Sequence, residues 1–201
     1  MRVVFCVLAL AAERASAASL PCDVFASGGT PCVAAHSTVR ALYATYAGSL
    51  YEVTRASDRT SRNITALSAG GFADSATQDA FCAVTDCVIS MIWDQSAFGN
   101  HLAVGPGGGA RPNPDKPVNA SRLAVTVGGH RVYGAFFEGG MGYRIDNTTG
   151  VAQGNSSESI YMVTQGTHAN AGCACCSCVR QIATACAKYD SPNHPKPPLT
   201  P

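Results

Sequence analysis

The sequence predicts a mainly β fold in which sheet packs on sheet, with one or two short helices. Two observations carry that expectation. From about Leu20 to Gly172, short apolar segments are broken by glycine and polar clusters, the rhythm of strands and turns. Within that stretch Leu123, Val125 and Val127 alternate before Gly128-Gly129 and the run Val132 to Phe137. This pattern reads as a hairpin, because both glycines of a two-residue turn can accept positive φ.

The elements follow in chain order. Val39, Leu42, Tyr43, Tyr46, Ala47 and Leu50 recur at helical spacing behind Ser37 and predict an early helix. A second, shorter helix is expected from Ala76 to about Ala83, where Ser75 and Gln78 have the spacing of a capping box. Val88 to Trp93 is an apolar run of strand length, and Ile160 to Val163 gives another strand. Between them, Gly105 to Pro117 is rich in glycine and proline and reads as a long surface loop. It has neither the Lys-Ser/Thr nor the GxGxxG pattern of a phosphate cradle. After Gly172 the composition changes: five cysteines crowd together, then five prolines fall between Pro192 and Pro201. A proline tail adds no sheet hydrogen bonds.

The composition narrows the function classes. Only 13% of residues are charged, and the chain has 46% apolar residues, 20 glycines and 11 prolines, which excludes a coiled coil, a collagen-like chain and a long disordered one. A formal charge of +1 gives no electrostatic basis for a nucleic acid or an anionic membrane as partner.

The N-terminus predicts export. Arg2, the apolar run Val3 to Ala12 and the small residues Ala15-Ser16-Ala17 form a cleavable signal over residues 1–18, too short to cross a bilayer. Four Asn-x-Ser/Thr triplets, at Asn63, Asn119, Asn147 and Asn155, then become candidate glycosylation sites of a secreted, extracellular protein. Beyond Cys6 in the signal, Cys22, Cys32, Cys82 and Cys87 are spread through the body, whereas Cys173, Cys175, Cys176, Cys178 and Cys186 lie in the tail. Three pairings of the body cysteines are possible; the local one, Cys22 with Cys32 and Cys82 with Cys87, closes two short loops. Each bridge restricts the unfolded chain by about 2–3 kcal/mol on the loop-entropy account.

Hydrolysis of a glycosidic bond needs two carboxyl groups, one protonated and one ionised. The body offers eleven of the chain's 13 acidic residues: Asp23, Glu52, Asp58, Asp74, Asp79, Asp86, Asp94, Asp115, Glu138, Asp146 and Glu158. Asp94 follows Trp93 at a strand end and precedes Gln95-Ser96, where an Asx turn accounts for it. His36-Ser37, Asn100-His101 and Thr167-His168 lack the glycine elbow of a nucleophilic serine, so hydrogen bonding of each histidine to backbone is expected. The tail's overlapping CxxC spacings suit zinc or thiol exchange, but an oxidising compartment favours disulfides, and no metal or other cofactor is expected. Tyr43, Tyr46, Trp93 and Tyr143 could stack on sugars or pack in the core.

At the level of whole segments the body is similar to the catalytic domain of the α-L-arabinofuranosidase B family, glycoside hydrolase family 54. The matching stretches include Pro21-Cys22-Asp23, Thr30 to Thr38 with Arg40-Ala41-Leu42-Tyr43, Ala69-Gly70-Gly71, and Gln78-Asp79 with Phe81-Cys82. They continue through Cys87, Asp94-Gln95-Ser96, Gly99 to Leu102, Gly142-Tyr143-Arg144 and Gly166-Thr167-His168. The resemblance covers Leu20 to Gly172 and implies a concanavalin-like β-sandwich over residues 19–172, with residues 173–201 a tail unlike the family. It implies the same two local disulfides, and an arabinose-containing plant polysaccharide as partner. It also implies a vicinal cysteine disulfide against bound arabinose. Cys175-Cys176 match that pair as substrate-binding residues, or Cys173 matches its first member with Ala174 in place of the second. The family's nucleophilic Glu and acid/base Asp are expected beyond this segment, so the sequence predicts a truncated, inactive glycosidase. The alternative is a secreted sandwich that binds carbohydrate or protein without catalysis.

Overall fold

The computed structural model describes residues 19–108 and 112–164 in full, and the backbone of residues 165 and 180–188. The signal segment 1–18, Cys175 and Cys176, His168 and the proline tail lie outside the described residues.

Among the described residues, ten strands and two short helices form a mainly antiparallel β fold. A five-stranded sheet has the order β3-β2-β4-β5-β8, from Ser61–Thr65, Ser49–Arg55, Cys87–Ile92, Leu102–Val104 and Tyr143–Arg144. A hairpin, β6 (Leu123–Val127) and β7 (His130–Gly134), packs on the same core as that sheet. A third sheet places β10 (Arg180–Lys188) between β1 (Cys32–Ser37) and β9 (Glu158–Gln165).

The main core joins the five-stranded sheet to the hairpin. Leu50, Tyr51, Val53, Ile64, Ile89 and Val132 are fully buried in it. A smaller cluster of Cys22, Cys32, Ala35 and Leu42 joins helix α1 (Pro21–Ser27) to β1, with Phe25, Tyr161 and Val163 packed against it. Both body disulfides form as the sequence predicts, Cys22–Cys32 and Cys82–Cys87. The hairpin forms too: Val127 pairs with His130 across Gly128 and Gly129, whose φ angles are +56° and +80°.

The early helix is a correction. Residues 39–48 run as bends and turns, and β2 begins at Ser49. Apart from a turn in which Tyr46 N–H donates to the Tyr43 carbonyl, their backbone groups bond to partners outside the segment. Ala41 N–H donates to the Gly71 carbonyl, Leu42 N–H to Gln95 Oε1, and Ala44 N–H to Asp23 Oδ2. The helical spacing of Val39, Leu42 and Leu50 marks real burial, reached by a loop that dips into both core clusters. The first helix lies earlier, at Pro21–Ser27, started by a proline that needs no N–H donor there and by Asp23, which accepts from Leu20 N–H.

Helix α2 forms where a second helix is expected but spans Ser75–Phe81, one residue earlier at its start and two shorter at its end, and its cap is Asp74. Asp74 accepts from Thr77 N–H and Thr77 Oγ1, so the helix start is capped by this carboxylate and not by a Ser75–Gln78 box. Gln78 turns inward and is fully buried: it accepts from Tyr51 O–H at 2.5 Å and donates to the Ala120 carbonyl at 2.9 Å. Ser75 donates to the Arg131 carbonyl of the hairpin.

Candidate functional site

Most acidic side chains are engaged by structural partners. Asp23 accepts from two backbone N–H groups and Asp74 caps α2. Glu52 accepts from Ser90. Asp58, Asp79, Glu138 and Asp146 pair with Arg55, Arg131, Arg122 and Arg144 respectively. Asp79 also accepts from Tyr133 O–H at 2.5 Å. The Asp115 carboxylate fills the space that a Cβ at Gly105 or Gly142 would take. Asp86 lies in a shallow polar depression beside the Cys82–Cys87 loop, and Glu158 opens β9.

A general acid needs a carboxyl group held protonated near neutral pH, and two of these residues are driven the other way. Hydrogen bonds from the backbone and hydroxyl of Thr60, with Arg55 alongside, hold Asp58 down to about 2. The hydroxyl and backbone N–H of Thr77 lower Asp74.

Asp94 is the most buried carboxylate among the described residues. It sits just past β4, 5% exposed, and accepts from Ala35 N–H at 2.7 Å, Ser96 N–H at 2.9 Å, Ser96 Oγ at 2.6 Å and Asn100 N–H at 2.9 Å. The local bonds to Ser96 are the Asx turn that the sequence predicts. The bonds to Ala35 and Asn100 tie β1 to the 94–101 loop, and they have no signal in the local sequence. Asn100 and Gln95 complete this buried polar node, and sequence reasoning missed both as scaffold residues. Asn100 donates to the Val33 and Thr149 carbonyls and accepts from Thr149 N–H. Gln95 Oε1 accepts from Leu42 N–H.

His36 and His101 serve the same node. His36 Nε2 lies 2.7 Å from the Asn100 carbonyl oxygen, which can only accept, so this nitrogen carries the proton. Burial lowers the His36 pKa, against the opposing pull of that carbonyl and of Asp94, so the ring is held neutral. His101 Nδ1 accepts from Asp94 N–H. Ser37 follows His36 on a strand, so their side chains leave opposite faces, and Ser37 Oγ accepts from Val39 and Arg40 N–H. These two form no nucleophile–base couple.

Of the four aromatic candidates, three spend their hydroxyls inside the fold. Tyr43 donates to the Cys32 carbonyl, Tyr46 to the Ser49 carbonyl and Tyr143 to the Ile89 carbonyl. Burial raises the pKa of all three. Trp93 is half-exposed, and its indole donates to Asn63. Asn63, Asn147 and Asn155 are exposed, whereas Asn119 is half-buried and accepts from Ser121 N–H. Among the described residues no three His, Cys, Asp or Glu side chains are grouped to hold a metal ion. The described part therefore presents a scaffold whose buried polar side chains are mostly engaged within the fold.

Residues 21–179 match the family described as "Alpha-L-arabinofuranosidase B, catalytic". The chain belongs to this family. It is 51% identical over 172 residues to the alpha-L-arabinofuranosidase B of Emericella nidulans, covering 83% of this chain and 34% of the relative. A probable alpha-L-arabinofuranosidase B of Aspergillus flavus is 49% identical over 170 residues, covering 83% and 34%. The chain thus spans about a third of the length of the curated arabinofuranosidases it matches. Among solved structures it resembles an arabinofuranosidase complexed with arabinofuranosyl-α-1,2-xylobiose, with a TM-score of 0.72, 47% identity and coverage of 74% of this chain and 32% of that one. A second similar structure, with a TM-score of 0.71, 46% identity and coverage of 74% and 32%, is a glutamate-to-glutamine mutant of a family 54 α-L-arabinofuranosidase soaked with 4-nitrophenyl α-L-arabinofuranoside. The two local disulfides and the buried Asp94–Asn100 node fall inside the segment matched to this arabinofuranosidase family.

Proposed function

We propose that this chain carries scaffold of an extracellular α-L-arabinofuranosidase, a fold that presents terminal arabinofuranosyl groups of arabinan or arabinoxylan for hydrolysis, without itself supplying the acid–base pair. The family membership supports the substrate class. The observation that carries the second half is the engagement of the acidic side chains: eight of the eleven in the body accept hydrogen bonds from backbone, hydroxyl or guanidinium groups. Retaining hydrolysis requires one carboxylate to attack the anomeric carbon while a second, protonated one gives its proton to the leaving oxygen. A carboxylate whose pKa is lowered by its donors, as at Asp58 and Asp74, is a poor proton donor to the leaving oxygen, and one committed to structural partners is not free to reach an anomeric carbon. The signal over residues 1–18 and the four Asn-x-Ser/Thr triplets support export and glycosylation.

The test is turnover. The purified chain, incubated with 4-nitrophenyl α-L-arabinofuranoside, releases nitrophenol no faster than buffer. Sustained release that survives further purification and disappears on replacing one body carboxylate contradicts the scaffold reading.

A further inference from the structure

We infer that Asn63 is the attachment point of an asparagine-linked glycan whose first sugar lies on the indole of Trp93. The inference rests on the extracellular reading above. Asn63-Ile64-Thr65 occupies β3, where Ile64 is fully buried and Asn63 and Thr65 face outward. Trp93 Nε1 donates to Asn63 Oδ1 at 3.0 Å across the outer side of the five-stranded sheet. An indole N–H can only donate, so the amide oxygen must face it, and Nδ2 is left as the atom that takes the sugar. No described residue hydrogen-bonds that nitrogen.

The indole is itself held in place. Trp93 N–H donates to the Leu50 carbonyl, and the His101 ring meets the indole edge-on at 4.8 Å. His101 is fixed in turn by Asp94 N–H. A substituted amide is planar and trans, so a sugar carbon on Nδ2 lies opposite Cβ and on the Oδ1 side. That direction is toward Trp93, whose half-exposed apolar face can cover the C–H face of the sugar ring. Asn119 offers no such platform, since its Oδ1 is folded back onto Ser121 N–H of its own triplet.

In the transfer step, Asn63 Nδ2 forms a bond to the anomeric carbon of a lipid-diphosphate-linked oligosaccharide. The carbon–oxygen bond to the diphosphate breaks, the lipid diphosphate leaves with the electron pair, and Nδ2 gives up one proton. Nothing is oxidised or reduced.

The chain has one tryptophan, so its fluorescence reports Trp93 alone. The experiment expresses the chain with its own leader in a eukaryotic secretory host. Peptide mapping after amidase release in heavy-oxygen water then finds the attachment sites. Acrylamide quenching is compared for the intact glycoprotein, for protein trimmed to a single N-acetylglucosamine, for fully stripped protein and for Thr65→Ala, which abolishes the triplet but keeps the Asn63 amide. The expected result is a modified Asn63, with Trp93 equally shielded in the intact and single-sugar forms and more quenched, with red-shifted emission, in the stripped and Thr65→Ala forms. An exported chain with Asn63 unmodified overturns the proposal, and so does quenching that is the same with and without the sugar. Failure to leave the cell counts against the extracellular reading instead, and the same comparison behind an efficient leader then decides the Asn63 site.

Discussion

Replacing Asp94 by asparagine keeps its size but turns one oxygen into a donor facing donors. In the better orientation Ser96 Oγ can reverse its role, but one backbone N–H, that of Asn100, loses its acceptor. Leaving a buried N–H unpaired costs about 1–3 kcal/mol, so Asp94→Asn should lower the urea midpoint by a corresponding amount without changing the slope. His36 makes a second residue-scale prediction. Its folded pKa lies below 6.5 because burial penalises the charged ring, so the unfolded chain takes up the proton first as pH falls. The stability tied to the neutral ring is present above about pH 6.5 and is lost below it. Urea midpoints measured from pH 8 to pH 5 should hold and then decline, and His36→Gln should flatten that decline. At this scale the sequence was half legible. The Asx turn at Asp94 is written in Asp94-Gln95-Ser96, whereas its bond to Ala35, 59 residues away, exists only once the chain has folded.

Among the elements, those with local chemistry were readable and those made by distant contacts were not. Gly128-Gly129 between alternating valines specifies the β6–β7 turn, because both positions sit at positive φ. Gly129 has open space around it, so Gly129→Ala adds no clash and should cost only the conformational penalty of about 1–2 kcal/mol. Thermal melts of that variant, compared with Gly129→Asn, check this: asparagine tolerates positive φ better and should recover part of the loss. The 39–48 segment failed for the opposite reason. Its apolar spacing reflects burial at two clusters, and the N–H groups of Ala41, Leu42 and Ala44 are satisfied by Gly71, Gln95 and Asp23, none of them within a helical turn. Strands β2 and β3 went unread because their inward residues, Leu50, Tyr51, Val53 and Ile64, are split by a register shift that spoils strict alternation.

At the scale of the whole molecule, the family was legible in ordered segments from Pro21 to His168, and the architecture agrees with it. The described fold invests its charged groups in holding sheets, loops and helix ends together, and that investment is the central claim. It is tested most directly by an electrophilic arabinofuranoside, such as a cyclic sulfate, which a nucleophilic carboxylate opens to give a covalent sugar ester. Intact mass spectrometry of the incubated chain should show the unmodified protein alone. An adduct of one arabinosyl group that still carries the ring-opened sulfate, mapped by peptide sequencing to any acidic side chain between Asp23 and Glu158, would contradict the account.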